Sequence, residues 1–318
     1  MDWWWQQQLD AEGIDVLIHT QDRIVSRPQL LAADWSQTEI RRRLRRRMWQ
    51  TVHPGVYATH TGPIGHDARL LAALLYAGPE ASWSHYSAAE QLGLIRVDDQ
   101  RPIYLTIPAH RRVQTQPGLR LHRSRHWQER VGRVIPPRSE PAHAVLDIVD
   151  ISESLDNAAA VIAEACQSGR VSAAAIADAL RTRVGLRYRR ELQPVLSDVA
   201  AGSHSLLELR YLRDVERLHG LPAGRRQRSV DNEFTDVAYP EFGLVVELDG
   251  RFHLRPDRRW RDLARDNRAT LRAESTLRYG WHDVTSRVCE VAVQVLQVMR
   301  RTAPRTPATP CGPTCPVK

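Results

Sequence analysis

The residues with the clearest chemical potential are acids spaced along the stretch from 236 to 249. Asp236 is followed eleven positions later by Glu247, and Asp249 comes two positions after that. Carboxylates that converge from adjacent strands form an oxygen-rich site suited to Mg²⁺ or Mn²⁺. Such an ion activates water and stabilises the charge on a phosphate in the transition state. The spacing therefore predicts a metal site at Asp236, Glu247 and Asp249.

These acids lie on two predicted strands, 234–239 and 244–250, joined by a short turn. Because side chains alternate across a strand, Glu247 and Asp249 share one face of the second strand. Asp236 lies on the neighbouring antiparallel strand and could face them. Carboxylates on an apolar strand are costly unless a cation compensates them. The pattern also fits an ordinary turn after the second strand, with Glu247 paired to an arginine.

Further elements are predicted around this hairpin. A helix is expected from residue 205 to 212, a last core strand at 279–284, and a helix at 285–300. Residues 303–318 are rich in Pro and Thr, which predicts disorder. Cys311 and Cys315 lie in this tail, but no second Cys or His pair is near them in the sequence, so a zinc site is not expected. Cys166 and Cys289 are interpreted as small core residues.

Helix signals also occur near the start of the chain. Ser26 precedes Pro28 as a helix N-cap would, and Ser36 and Glu39 have the spacing of a capping box. A short helix is therefore predicted to end near Ala33, with a second helix following it. After the second helix, residues 49–57 predict two short strands around a Pro-Gly turn.

The second helix has two different kinds of face. Apolar residues recur every fourth position, which predicts a buried face made of Ile40, Leu44 and Met48. The other faces carry six arginines, namely Arg41, Arg42, Arg43, Arg45, Arg46 and Arg47. With the preceding helix and the following hairpin, this order predicts a winged helix-turn-helix domain over residues 1–60 whose arginines bind DNA. The alternative is a solvated, charged helix face.

Residues 61–200 predict an α/β middle and helical linker region. A helix is expected at 68–77, and paired strands are expected at 103–107 and 119–123. His85 has no carboxylate or nucleophile at a readable spacing, so it is interpreted as a structural residue. The predicted architecture is thus an α+β or α/β multidomain protein, with a further domain at 201–302.

Two resemblances to known families cover parts of the chain. Residues 24–30 and 49–57, the latter ending in Gly55-Val56-Tyr57, resemble the N-terminal domain of AbiEi-type antitoxins. The C-terminal region resembles the DUF559 family of the PD-(D/E)xK nuclease superfamily, which is similar to very-short-patch-repair endonucleases. The matching segments are 205–208, 236–240, 246–253, 266–268 and 280–281.

The second resemblance implies a restriction-endonuclease-like αβββαβ core and roles for particular residues. Asp236 and Glu247 would bind the metal, with support from Glu208 on the first helix. Asp249 stands where the superfamily usually has Lys, which leaves the group that activates water open. His253 is a candidate general base or transition-state donor, and Arg268 is a candidate stabiliser of the phosphate charge.

Composition is consistent with a nucleic-acid partner. The chain has 318 residues and a formal net charge of +8, although its many arginines also fit a generally Arg-rich composition. No apolar run has the length of a membrane span, and the first residues lack a signal-peptide pattern, so a cytoplasmic location is expected. Two functions are carried forward. One is a metal-dependent DNA endonuclease; the other is an antitoxin or transcriptional regulator with an inactive nuclease-like domain, partnered by a toxin from its operon.

Overall fold

The computed structural model describes residues 11–203, 205–230, 233–249 and 274–318 and has a mixed α+β fold, as predicted. The chain separates into two compact units. The first contains the chain up to Ser152 together with Ser168–Val171 and Asp178–Arg187. The second contains Glu153–Gln167, Ser172–Ala177 and the chain from Tyr188 onward. This division differs from the predicted boundaries at residues 60, 200 and 302.

The first unit opens with the elements that the sequence predicts near the N-terminus. They are α1 (Ala11–Thr20), β1 (Ile24–Ser26), α2 (Arg27–Ala32), α3 (Gln37–Arg45), β2 (Gln50–His53) and β3 (Val56–Ala58). The strands form an antiparallel sheet in the order β1-β3-β2. Both predicted caps are present, since Ser26 caps α2 and Ser36 forms a capping box with Glu39 on α3. Each cap satisfies backbone N–H groups that a helix start leaves unpaired.

The buried face predicted for α3 is confirmed for the part that lies inside the helix, but not for Met48, which lies beyond its end. Ile40 is buried, but Met48 is 49% exposed, and Trp49 occupies the core instead with 5% exposure. The reason is that α3 ends at Arg45, and Arg47 has a left-handed backbone with φ of 54°. The fourfold periodicity of a helix therefore no longer applies at Met48.

The remainder of the first unit is built around a second small sheet. Its elements are α4 (His66–Ala77), β4 (Ser82–Trp83), α5 (His85–Gln91), β5 (Ile103–Pro108), β6 (Leu119–Ser124), α6 (Trp127–Arg130) and α7 (Pro141–Ile151). The strand order is β4-β5-β6. The predicted pairing of the strands near 103 and 119 is confirmed, and they run parallel.

A hydrophobic cluster crosses the boundary predicted at residue 60. Ile24, Val56 and Ala58 on β1 and β3 pack with Ala68 and Leu71 on α4. Burying this apolar surface stabilises both parts together. Strands β1 and β3 therefore share a core with α4.

Helices precede the sheet of the second unit. They are α8 (Leu155–Gln167), α10 (Leu192–Ala200) and α11 (Leu206–Arg210), the last of which continues as a π-helical turn at Tyr211–Arg217. Another helix, α9 (Ala173–Arg181), lies between α8 and α10 in the chain. The helix predicted at 205–212 is thus present.

Four described strands form the sheet of the second unit. They are β7 (Arg225–Val230), β8 (Glu233–Tyr239), β9 (Leu244–Asp249) and β10 (Ser275–Gly280), in the order β10-β9-β8-β7. The pairs β7-β8 and β8-β9 are antiparallel, whereas β10 runs parallel to β9. Parallel neighbours need a crossover connection, which here falls in residues 250–273, outside the described part of the chain.

The last strand and the helices after it differ in position from the prediction. The strand predicted at 279–284 ends at Gly280, because α12 (Trp281–Ser286) begins there and the Asp283 carboxylate accepts the Gly280 N–H at 3.0 Å. The long helix α13 then spans Val288–Thr302. Strand β7 was not located by the residue pattern.

Residues 303–318, predicted to be disordered, pack against the rest of the second unit. Val317 is 1% exposed and belongs to the same core cluster as Val237 and Val246, and Thr306 is also buried. The Arg300 guanidinium donates to the Lys318 carbonyl at 2.6 Å. In the part of the chain that the structure describes, no helix combines the length and apolar character needed to cross a bilayer.

Candidate functional site

Asp236 and Glu247 lie on neighbouring strands where the β8-β9 ladder ends. The ladder pairs Val237 with Val246, and continuing the same register by one position sets Asp236 opposite Glu247. Side chains at directly opposed positions of an antiparallel pair share a face. The Asp236 carboxylate also accepts the backbone N–H of Leu248 at 2.6 Å, which ties it to β9.

Glu247 has an ion-pair partner on the other neighbouring strand. The parallel register sets Arg278 of β10 beside Glu247, and Arg278 Nε donates to Glu247 Oε2 at 2.8 Å. Arg278 is partly exposed, and Glu247 is largely buried. This pairing compensates the charge of Glu247 in the described structure, as the alternative reading of the sequence anticipated.

Glu208 lies in the first turn of α11, a helix that contacts β9. Its carboxylate accepts from Ser205 Oγ at 3.0 Å, and Ser205 Oγ in turn accepts the Glu208 N–H at 3.1 Å. Glu208 is buried, so these hydrogen bonds offset part of the cost of removing a carboxylate from water. The same residue thus stabilises the start of the helix.

The remaining residues of the predicted catalytic group are His253, Arg268 and Asp249. His253 and Arg268 lie outside the described residues. Asp249 is described through its backbone, which ends β9 and pairs with Gly280 in the parallel register. Of the predicted acids, therefore, the structure brings Asp236 and Glu247 together on adjacent strands.

A buried polar network, which the sequence did not suggest, joins the π-helical turn to strands β7 and β8. Glu216 and Arg226 are 2% and 5% exposed and form a bidentate ion pair. Tyr239 donates its hydroxyl to Glu216, and Tyr211 donates to Tyr239 at an O–O distance of 3.0 Å. Burial raises the pKa of both tyrosines well above the usual value, so both hydroxyls keep their protons. The network fixes the π-helical turn against β7 and β8.

The arginines of the N-terminal region differ in their surroundings. Arg41, Arg42, Arg45, Arg46 and Arg47 are exposed. Arg43 instead packs over the Trp35 ring, with its guanidinium carbon 4.9 Å from the ring centre, and Trp35 stacks on Trp49. This cation–π contact holds Arg43 against the core. The other five arginines of the run therefore present their guanidinium groups at the surface.

A polar pocket of about 110 Å³ lies within the first unit and was missed by the sequence analysis. Its lining includes His85, His122, Arg123, Arg130, Asp147 and Arg183. The His85 and His122 rings are 3.9 Å apart, centre to centre, and the buried Asp147 pairs with Arg183 at 2.6 Å. These residues come from four separated parts of the chain, so no spacing in the sequence could reveal them.

The histidines of this pocket are kept neutral by their surroundings. Burial lowers the pKa of His85 well below its usual value, and the neighbouring His122 lowers it further. Burial also lowers the pKa of His122. The guanidinium groups consequently supply the positive charge of the pocket, and Asp147 and Asp150, which also line it, offset part of that charge.

Compared with protein-family models and with curated proteins, the chain has no match.

Proposed function

We propose that the chain is a DNA-binding protein whose second unit contains a metal-dependent endonuclease-like domain that hydrolyses phosphodiester bonds. The metal would be Mg²⁺ or Mn²⁺, and Asp236, Glu247 and Asp249 would supply its carboxylate ligands. The assignment rests on one observation, the juxtaposition of Asp236 and Glu247 on adjacent strands at the end of the β8-β9 ladder.

The order of elements around these acids supports the proposal. Helix α11 is followed by the antiparallel strands β7, β8 and β9, and then by β10 running parallel to β9. This described order is compatible with the αβββαβ core that the resemblance to DUF559 implies. Asp236, Glu247 and Asp249 offer oxygen atoms alone, which favours a hard divalent cation over zinc.

In this proposal the bound cation, Asp236 and Arg278 have different roles. When bound, the cation would activate water and stabilise charge on the phosphate. Asp236, tied to β9 through the Leu248 N–H, is held in a fixed position. Arg278, already paired with Glu247, can neutralise that carboxylate when the cation is absent.

DNA binding is assigned to the N-terminal elements. The order α1-β1-α2-α3 followed by the hairpin β2-β3, with β1 pairing to β3, supports the assignment of a winged helix-turn-helix. In this proposal α3 enters the major groove and its exposed arginines bind phosphates and guanine edges. The hairpin would contact the DNA backbone.

A second function is favoured by the ion pair between Glu247 and Arg278. A carboxylate already neutralised by a guanidinium at 2.8 Å has less need of a metal. The alternative is an AbiEi-type antitoxin or transcriptional regulator, in which the nuclease-like domain binds without cleaving. A nucleotidyltransferase-like toxin encoded beside this chain would support it.

Cleavage of plasmid DNA distinguishes the two functions. The full chain is incubated with supercoiled plasmid and Mg²⁺ or Mn²⁺, alongside Asp236→Asn and Glu247→Gln. We expect each substitution to lower cleavage by on the order of 100-fold, as loss of a transition-state stabiliser does. Both replacements preserve shape and hydrogen-bonding oxygen, which limits damage to the fold.

Glu241→Gln is the matched control, because Glu241 is an exposed acid in the turn between β8 and β9. It should cleave like the wild type. Equal cleavage by all four proteins would point to a contaminating nuclease and contradict the metal site. No cleavage by the wild type, with DNA binding retained, would favour the regulator.

A further inference from the structure

Four potential metal ligands from distant parts of the second unit meet at one place. They are His219, Cys289, Cys311 and Cys315, and one ligand atom from each lies within 4.8 Å of the others. His219 follows the π-helical turn, and Cys289 lies in the first turn of α13. Cys311 and Cys315 come from the segment after α13, where the Cys315 N–H donates to the Gly312 carbonyl at 3.1 Å.

The imidazole of His219 is oriented as that of a metal ligand would be. Its Nδ1 lies 3.0 Å from the Val215 carbonyl, so the proton belongs on Nδ1 and the lone pair on Nε2. A backbone carbonyl is a usual partner for the second nitrogen of a metal-binding histidine. His219 is fully buried, and its Nε2 has no hydrogen-bond partner among the described residues. A buried, unpaired acceptor is costly, and a metal bond would remove that cost.

The sulfur separation favours a shared cation over a disulfide. Cys289 Sγ and Cys311 Sγ are 3.5 Å apart. A disulfide would bring them to about 2.05 Å. Ligands at about 2.3 Å from a tetrahedral zinc ion are separated by about 3.8 Å. The observed distance is thus close to one edge of such a tetrahedron.

Contacts outside the cluster hold its two sides together. The Thr309 N–H donates to the His219 carbonyl at 2.8 Å, which joins the 303–318 segment to the π-helical turn. On the other side of the cysteine pair, Val317 inserts into the core. The segment is therefore attached on both sides of Cys311 and Cys315, so all four ligands are positioned by the fold.

We propose that His219, Cys289, Cys311 and Cys315 bind a zinc ion. Three thiolates and one imidazole form a four-ligand set typical of structural zinc sites, with no open position for water or substrate. Binding releases the thiol protons, since the thiolate is the ligand. The ion holds the C-terminal segment to α13 and His219. It is separate from the acidic site, defined as Asp236, Glu247 and Asp249, which offers only oxygen ligands.

The zinc content of the full, untagged chain tests this proposal. Protein purified without chelator and dialysed into metal-free buffer is measured by elemental mass spectrometry. We expect about one zinc per chain, and its loss in Cys311→Ser and Cys315→Ser. Cys166→Ser is the matched control, because Cys166 is a free thiol of the same unit on α8, away from the cluster. It should keep its zinc.

Cobalt exchange gives a readout that does not depend on variants folding. Replacing the bound ion with Co²⁺ in the wild type should give thiolate-to-cobalt charge-transfer bands and the visible bands of a tetrahedral site. Cobalt bound only by oxygen, as at the acidic site, would give neither. The mass of the unreduced, denatured chain shows separately whether a disulfide has formed.

Three results would overturn the zinc site. One is wild-type protein without zinc and without cobalt–thiolate bands. Another is retention of zinc by both Cys311→Ser and Cys315→Ser. The third is a disulfide among Cys289, Cys311 and Cys315 in chain purified from the reducing cytoplasm of an expression host. Each of these is independent of whether the chain cleaves or binds DNA.

Discussion

At the scale of single residues, the sequence predicts those roles whose partners are close in the chain. The caps at Ser26 and Ser36 are correct because each cap bonds to a group three residues away, a distance that helix geometry fixes. The pair of Glu216 and Arg226 was missed because its recognition depends on how the π-helical turn meets β7. The same is true of His219 and its cysteines, where a Cys-x-x-x-Cys spacing alone does not predict the other two ligands.

The buried network should respond strongly to a change at Glu216. Glu216→Gln removes the charge that compensates Arg226, and an uncompensated buried guanidinium is costly. We expect the free energy of unfolding to fall by about 3 kcal/mol. Equilibrium unfolding in urea, followed by circular dichroism, measures the change.

The neighbouring arginine provides a matched comparison. Arg225 pairs with Glu241 at 3.3 Å, and both side chains are exposed. Exposed pairs contribute little, so Glu241→Gln should change the free energy of unfolding by less than about 1 kcal/mol. Equal effects of Glu216→Gln and Glu241→Gln would contradict the importance assigned to the buried network.

At the scale of helices and strands, the sequence predicts which elements are present better than it predicts where they begin and end. Strands β8 and β9 follow from their apolar alternation, but β7, with three arginines in Arg225–Val230, carries no such pattern and forms through pairing with β8. The end of α3 was also misjudged, because the left-handed backbone at Arg47 cannot be read from the side-chain pattern. The same limit explains the displacement of β10, where a helix starting at Trp281 ends the strand.

Helix α3 and the residues just after it should determine the salt dependence of DNA binding. The double substitution Arg42→Gln, Arg46→Gln removes two exposed charges that are proposed to contact phosphates. Each lost phosphate contact should reduce the slope of log affinity against log salt by about 0.9, so we expect a decrease of about 1.8. Fluorescence anisotropy with duplex DNA over a range of salt concentrations measures the slope.

A variant with the same change in net charge separates local contacts from overall attraction. Arg181→Gln with Arg305→Gln removes two exposed arginines from other elements. If α3 lies on the DNA, this control should bind with a slope close to that of the wild type. Similar slopes for both double variants would reject α3 as the binding element.

At the scale of the whole molecule, the sequence predicts a mixed α+β fold but not its division. The predicted boundaries follow motifs along the chain and, at residue 302, a change in composition, whereas the compact units follow shared cores, such as the cluster that joins β1 and β3 to α4. The Pro-rich end is a further example. Its composition indicates disorder, yet Val317 and Thr306 are buried. Val317 packs with core residues from other elements of the second unit.

The stability of the chain should fall as the pH decreases below about 6.5, and His85 should contribute to this. Burial lowers its pKa in the folded state from the usual 6.5, so the folded protein holds the imidazole neutral. Below pH 6.5 the unfolded chain binds a proton that the folded chain excludes, and this favours unfolding. The contribution is thus fully present above pH 6.5 and is lost as the pH falls toward the lower, folded-state pKa.

His85→Asn isolates this effect, because asparagine tolerates the left-handed backbone that His85 adopts at φ of 49°. Between pH 6.5 and 5, one excluded proton contributes a slope of at most about 1.4 kcal/mol per pH unit. The free energy of unfolding, obtained from thermal unfolding at several pH values in this range, should depend less steeply on pH for the variant. Some dependence remains from His122, because burial lowers its pKa too. His110→Asn changes an exposed imidazole of the same unit. Its free energy of unfolding should depend on pH as steeply as that of the wild type. An unchanged slope in His85→Asn would mean that the folded protein accommodates the charged imidazole.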